Sequence, residues 1–197
     1  MSAIPYTFER RPDTGVNNVK LGVWLFLASE VMFFGGLFSA YFMLRAGATS
    51  WPHGPDVLSL PLGSINTVVL LTASAVFTVA VRAAQAGRQE RIRRLLAFSM
   101  LLCLAFLGIK SLEYAREIAA GLVPRTSTFF ALYYTLTAVH ALHVIAGIIL
   151  SLWLWTTSPP AWRAAPARVV NRLEAAAMYW YFVDAIWLII VLLMYVA

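Results

Sequence analysis

The sequence predicts an all-α integral membrane protein, a single bundle of five transmembrane helices. Three observations carry that reading. Hydrophobic residues make up 61% of the 197 and charged residues only 12%, where a soluble domain carries about 25% charged. Mean hydropathy is +0.76. The apolar residues fall into five runs, each near the roughly 20 residues that a hydrocarbon core about 30 Å thick demands of a helix. The net charge of +6 sits between those runs rather than in one patch. That pattern orients a membrane protein and argues against nucleic acid as a partner. The single Cys103 excludes an internal disulfide and any paired-cysteine metal or redox motif.

Residues 1–18 are polar, with Pro5, Pro12, Arg10 and Arg11 and no helical apolar face, and read as a cytoplasmic surface tail with little order. Residues 19–197 form the membrane domain. The first helix covers about 19–45 and carries one carboxylate, Glu30, near its middle. Ala46-Gly47-Ala48 resembles a signal cleavage site, but the apolar run exceeds the roughly 7 to 15 residues of a signal sequence, so a retained helix is expected. The loop to Leu60 contains WPHGPD, with Trp51 as an interface anchor. Helix two spans about 61–82, with Pro61 in its first turn. Asn66, Ala73 and Ala80 recur every seventh residue, a narrow face suited to close packing. Arg82, Arg88, Arg91, Arg93 and Arg94 form a basic loop. Helix three spans about 94–120 and ends in Lys110, Glu113, Arg116 and Glu117; Gly121 and Pro124 stop it. Helix four spans about 127–156 and holds His140 and His143. Ser158-Pro159-Pro160 through Pro166 reads as a rigid loop with Arg163, Arg168 and Arg172. Helix five spans about 172–196 and holds Asp184.

Five spans place the termini on opposite sides. The segments sharing a side with the amino terminus collect Arg10, Arg11, Lys20, the five-arginine loop, Arg163, Arg168 and Arg172. The other side holds Arg45, Arg116, Arg125 and Lys110. The expected orientation is amino terminus cytoplasmic and carboxyl terminus outside.

The ionisable residues inside the spans are the functional candidates, since an acid at the bilayer centre costs about 3 kcal/mol on insertion scales. At 1.5 Å per residue, Glu30, His140 and Asp184 share a middle slab, so a common polar pocket is geometrically possible. Two readings of Glu30 stand: an acid hydrogen-bonded between helices, or a group that handles protons or contacts lipid. Asp184, in YWYFVDAIW, is expected to bond a tyrosine, a tryptophan or the backbone. His140 and His143 lie on one helix face and are expected to hydrogen-bond across helices, with Thr137 and Ser151 extending that face. A metal would need more ligands, and a haem with two axial histidines needs them on opposite sides of its ring. His53 lies in a loop. Lys110, Glu113 and Glu117 read as local pairing and snorkelling near the interface. No nucleophile with its base, no phosphate loop and no metal cluster is present in the sequence.

Three stretches carry a resemblance. KLGVWLFLASEVMFFGGLFSAYF, EYAREIAAGLVPRTSTFFALYYTLTAVHALHVIAG and AAMYWYFVDAIW resemble, in order and spacing, the helices of subunit III of haem–copper terminal oxidases, in the five-helix bacterial form. The resemblance places the family's functional residues on Glu30, Glu113, His140, His143 and Asp184. It implies a subunit of the bacterial inner membrane with no haem or copper of its own, those cofactors residing in partner subunits. It further implies packing against oxidase subunit I and other oxidase subunits, contact with phospholipids, support of proton uptake, and membership of a respiratory supercomplex as one possible arrangement. The resemblance is to the five-helix form, without the two extra amino-terminal helices of the seven-helix form. It therefore implies a lipid cleft of the kind built between those helices and the rest only where another subunit supplies that wall. Tyr181 stands where many members have histidine, and TAVHALHV has alanine where glycine is common. The alternatives are an accessory subunit of a nitric oxide reductase system and a stand-alone proton or ion transporter. The latter class often shows internal repeats or broken helices, and the sequence has neither.

Overall fold

Turns, caps and one small stripe of large side chains set the architecture. The computed structural model describes residues 9–197, so the first eight residues of the expected tail lie outside the described residues. Six α-helices follow: α1 (Asn18–Ala46), α2 (Gly54–Val57), α3 (Leu60–Gln85), α4 (Gln89–Ala119), α5 (Thr128–Ala164) and α6 (Pro166–Val191). A π-helical turn, Leu192–Val196, ends the chain. All but the short α2 are long and apolar enough to cross a membrane, and the chain is a multi-pass membrane protein.

Side chains and glycines define the helix ends. Asn17 caps α1 by accepting from the Lys20 backbone N–H at 2.9 Å, and Ser127 caps α5 in the same way through Phe130. Before α1, the Arg11 guanidinium grips both carboxylate oxygens of Asp13 and holds that acid below its ordinary range. Gly121, at φ 79°, closes α4: its N–H reaches the Ile118 carbonyl and the Leu122 N–H reaches Glu117. Gly87, at φ 74°, closes α3 identically through Ala84 and Ala83. Both are left-handed caps that satisfy the last carbonyls, where a Cβ would be strained.

Several boundaries differ from those read in the sequence. The five-arginine loop is reduced to a three-residue turn, Ala86 to Arg88, because α3 runs on to Gln85 and α4 starts at Gln89. Arginine is a good helix former, so Arg91, Arg93 and Arg94 extend a helix past its apolar stretch. The proline segment is not a loop. α5 continues through Pro159 and Pro160 to Ala164, and α6 begins at Pro166, six residues before the expected 172. Proline's fixed φ suits a helix, and Thr157 and Thr156 hydroxyls bond the Trp153 carbonyl just before the prolines.

α3, α4, α5 and α6 form an antiparallel ring in which each touches two neighbours, while α1 packs outside, against α6 and more lightly α5. α6 is therefore the central strut, burying Trp180, Val183, Trp187 and Ile190. α1 buries only Leu27, Phe34 and Tyr41, one stripe at heptad spacing. Asn66, Ala73 and Ala80 of α3 are all fully buried. One end of the bundle carries the arginine-rich turns and the start of α1. The far end carries α2, the α4–α5 turn and the π turn.

Two glycines show how tight the ring is. A Cβ on Gly147 of α5 would lie 2.7 Å from the Trp180 indole, whereas Gly22 of α1 has nothing within 4 Å. Replacing Gly147 by leucine should therefore cost about 1–3 kcal/mol through overpacking, read as a lower unfolding temperature. The same change at Gly22 should leave that temperature close to wild type.

Candidate functional site

Glu30 and His143 meet where α1 lies over α5. Glu30 Oε2 stands 3.1 Å from His143 Nε2, with side chains 18% and 17% exposed. His143 Nδ1 is 2.8 Å from the Val139 carbonyl, which can only accept, so Nδ1 carries a proton. Nε2 then either accepts from a protonated Glu30 or, as an imidazolium, donates to the carboxylate. In both arrangements the pair is neutral overall, which suits its depth in the membrane. The ring is fixed further by the Phe34 edge at 5.1 Å, and the Tyr179 hydroxyl donates to the His143 carbonyl at 2.8 Å. α1, α5 and α6 are thus joined at one point.

The common pocket of Glu30, His140 and Asp184 does not form. Residues three apart on a helix are rotated by about 60°, and α5 sits at a corner of the ring. His143 consequently turns outward to α1 while His140 turns into the interior. His140 is fully buried between Phe106 and Trp187, with ring centroids 5.7 and 5.0 Å away. Neither of its nitrogens has a hydrogen-bond partner among the described residues, contrary to the expectation of a cross-helix bond. Thr137 and Ser151 do make such bonds, accepting from Tyr114 and from the Trp180 indole. Asp184 also departs from expectation. Its Oδ1 bonds no tyrosine, tryptophan or backbone group, because the polar atoms of the flanking aromatics bond elsewhere: Tyr179 to the His143 carbonyl, Trp180 to Ser151, Tyr181 to Thr78 and Trp187 to Thr67. Ser74 is the polar neighbour beside it.

The densest polar site lies near the far end, and Lys110 is its centre. Its side chain does not snorkel, being only 4% exposed. The ammonium donates to Glu113 at 3.0 Å, to the Tyr133 hydroxyl at 2.7 Å and to the Tyr195 hydroxyl at 2.6 Å. All three of its protons are used. The Tyr195 hydroxyl in turn donates to Glu113 at 2.7 Å and the Tyr133 hydroxyl to Glu117 at 2.9 Å. The rings of Tyr114, Tyr133, Trp187 and Tyr195 surround the cation at 4.4 to 5.8 Å. Glu113 thus sits in a network tying α4, α5 and the π turn, of which the sequence disclosed only the i, i+3 pair with Lys110. Tyr133 and Tyr195 were missed because nothing local in the chain distinguishes them from interfacial tyrosines.

A second network, also missed, closes the arginine-rich end. Lys20 of α1 bonds Glu174 of α6 at 2.6 Å, Glu174 also accepts from Gln85 of α3 at 2.8 Å, and Asn17 donates to Asn171 at 2.6 Å. The only sequence signal was a lysine, a carboxylate and three amides near helix ends. Among the described residues, no group of three or more His, Cys, Asp or Glu is placed to hold a metal ion. His53, just before α2, faces Asp56 within it, both side chains exposed.

The Glu30–His143 pair yields a double-substitution prediction. His143→Phe strands the Glu30 carboxyl and should destabilise the attachment of α1 by about 1–3 kcal/mol, seen as faster amide exchange along α1. Adding Glu30→Leu removes the stranded group and should restore much of that protection. Additive losses would mean that the two side chains do not interact.

Comparison with known proteins places this geometry in a family. Residues 9–197 match the family model described as cytochrome c oxidase subunit III. The chain is 30% identical over 193 residues to cytochrome bo(3) ubiquinol oxidase subunit 3 of Pseudomonas aeruginosa, covering 98% of this chain and 90% of that protein. It is 33% identical over 177 residues to cytochrome c oxidase subunit 3 of Thermostichus vulcanus, covering 89% and 86%. A third relative, heme-copper oxidase subunit I+III of Aeropyrum pernix, is 29% identical over 185 residues, which are 91% of this chain and 23% of that longer protein. The chain belongs to the cytochrome c oxidase subunit III family.

Proposed function

We propose that the chain is the non-catalytic subunit III of a proton-pumping haem–copper terminal oxidase and packs against subunit I. The observation that carries this reading is the relative whose name joins subunits I and III in one protein. A covalent fusion suits two chains that lie side by side. In this reading haem and copper reside in partner subunits, another subunit reads the electron donor, and this chain contributes assembly, lipid contact and support of proton uptake.

α1 is the surface we assign to subunit I. Trp24, Met32, Phe33 and Met43 project outward from it, and Gly22, Gly35 and Gly36 leave open space beside its backbone. Small residues let a second helix approach closely within a membrane. The excess of arginine at one end supports a cytoplasmic placement for that end. The network of Lys20, Glu174 and Gln85 then lies on the side from which protons are taken up.

A tagged chain drawn from bacterial inner membranes should bring with it a haem-containing subunit. Glu30→Ala should leave the haem content of the complex normal while weakening retention of this subunit or sustained turnover. Loss of the haem spectrum with the catalytic subunit still assembled would overturn the non-catalytic reading. A cysteine replacing Met32 should cross-link to subunit I; cross-linking from Leu101 of α4 instead would move the interface to the opposite side of the bundle.

A further inference from the structure

We propose that the interior of the ring holds a file of bound water running from the Lys110 network to Asp184, where it ends blind. Five buried residues there carry polar atoms with no partner among the described residues. They are Glu117 Oε2, both ring nitrogens of His140, both amide atoms of Asn66 and Asp184 Oδ1, with the hydroxyl of the fifth, Ser74, beside Asp184 and bonded to nothing else. All belong to α3, α4, α5 or α6.

Contacts between their neighbours make the set continuous. At the far end, Glu117 joins Lys110 through Tyr133, and Tyr195 lies against Gly63 of α3. Asn66 is one turn further in than Gly63. Beside it, Thr67 accepts from the Trp187 indole at 3.0 Å, and Trp187 stacks on His140. One turn before Trp187 on α6 is Asp184, with Ser74 against it. Gly63 to Ser74 on α3, and Tyr195 of the π turn back to Asp184 of α6, are each eleven residues, about 16 Å of helix. The antiparallel registers therefore agree.

The chemistry selects water. Polar atoms buried in a membrane protein need internal partners, because hydrocarbon supplies none. Amide, hydroxyl, imidazole and carboxyl groups together offer donors and acceptors in the mixture that bound water satisfies. Complete burial of Asn66 and His140 keeps lipid headgroups and partner side chains away from them. Past Asp184 the pattern changes. Ser99 donates to the Ala73 carbonyl and the Trp180 indole to Ser151, so these polar groups are partnered. Phe77 packs against Trp180, with Leu96 and Leu173 fully buried near the arginine-rich end. The file therefore stops halfway, and it offers no path across the membrane for a transported proton.

Hydroxyl-radical footprinting by X-ray pulses on the intact purified complex tests this, since bound internal water generates radicals in place. Trp187 and Trp180 are seven residues apart on α6 and equally buried. Trp187 should be oxidised several-fold faster than Trp180. Equal rates overturn the proposal, whether both are low, meaning a dry interior, or both high, meaning no blind end. Asn66→Leu supplies the second arm. A lower unfolding temperature with loss of Trp187 labelling fits the water file, whereas a higher unfolding temperature means that the amide had been stranded in a dry core and contradicts it.

Discussion

A lysine ammonium buried among helices must find its counter-charge and three acceptors inside the protein, and the far end of this bundle is built on that requirement. Lys110 obtains them from Glu113, Tyr133 and Tyr195, which belong to α4, α5 and the terminal π turn. Satisfying one cation therefore fixes the relative height of three segments. The rest of that end follows. The Tyr195 ring fits only because Gly63 has no side chain, and Gly54 of α2 lies against the Met194 carbonyl. The Tyr41 hydroxyl donates to the Leu193 carbonyl at 2.8 Å, tying α1 to the same turn.

The same logic recurs at each polar point, and it separates joints from chemistry. Glu30 with His143 joins α1 to α5, and Lys20 with Glu174 joins α1 to α6 at the opposite end. Leu27 lies between these two clasps, and Phe34 and Tyr41 continue the same buried stripe of α1 toward the far end. Buried polar contacts hold helices in register where lipid offers no hydrophobic contrast between helix and surroundings. Among the described residues these placements bring together no group of three His, Cys, Asp or Glu fit to hold a metal ion.

Much of the fold was legible in the sequence because spans are read from length and hydropathy, which the bilayer makes nearly binding. The five spans and the glycine stop at Gly121 follow from local chemistry alone. Pro159 and Pro160 misled, since a proline pair usually breaks a helix but is tolerated where its lost bonds fall near the end of a long one. The polar partners were far less legible. That Glu30 needed a partner was evident from its depth; that it would be His143 and not His140 depended on which side of α5 faces α1, a 60° question that no single sequence answers. Glu113 was visible as a neighbour of Lys110, yet Tyr195 lies 85 residues from Lys110 and left no local trace.

The measurement that reaches the centre of this account is thermal unfolding of the assembled complex carrying Lys110→Met, followed alongside its haem absorption. Removing the cation leaves two buried carboxylates without their counter-charge, a loss of about 3–5 kcal/mol for a broken buried pair. The account predicts that this subunit unfolds at a clearly lower temperature while the haem spectrum of the assembled complex stays unchanged. An unaltered unfolding temperature together with a changed haem spectrum would contradict it.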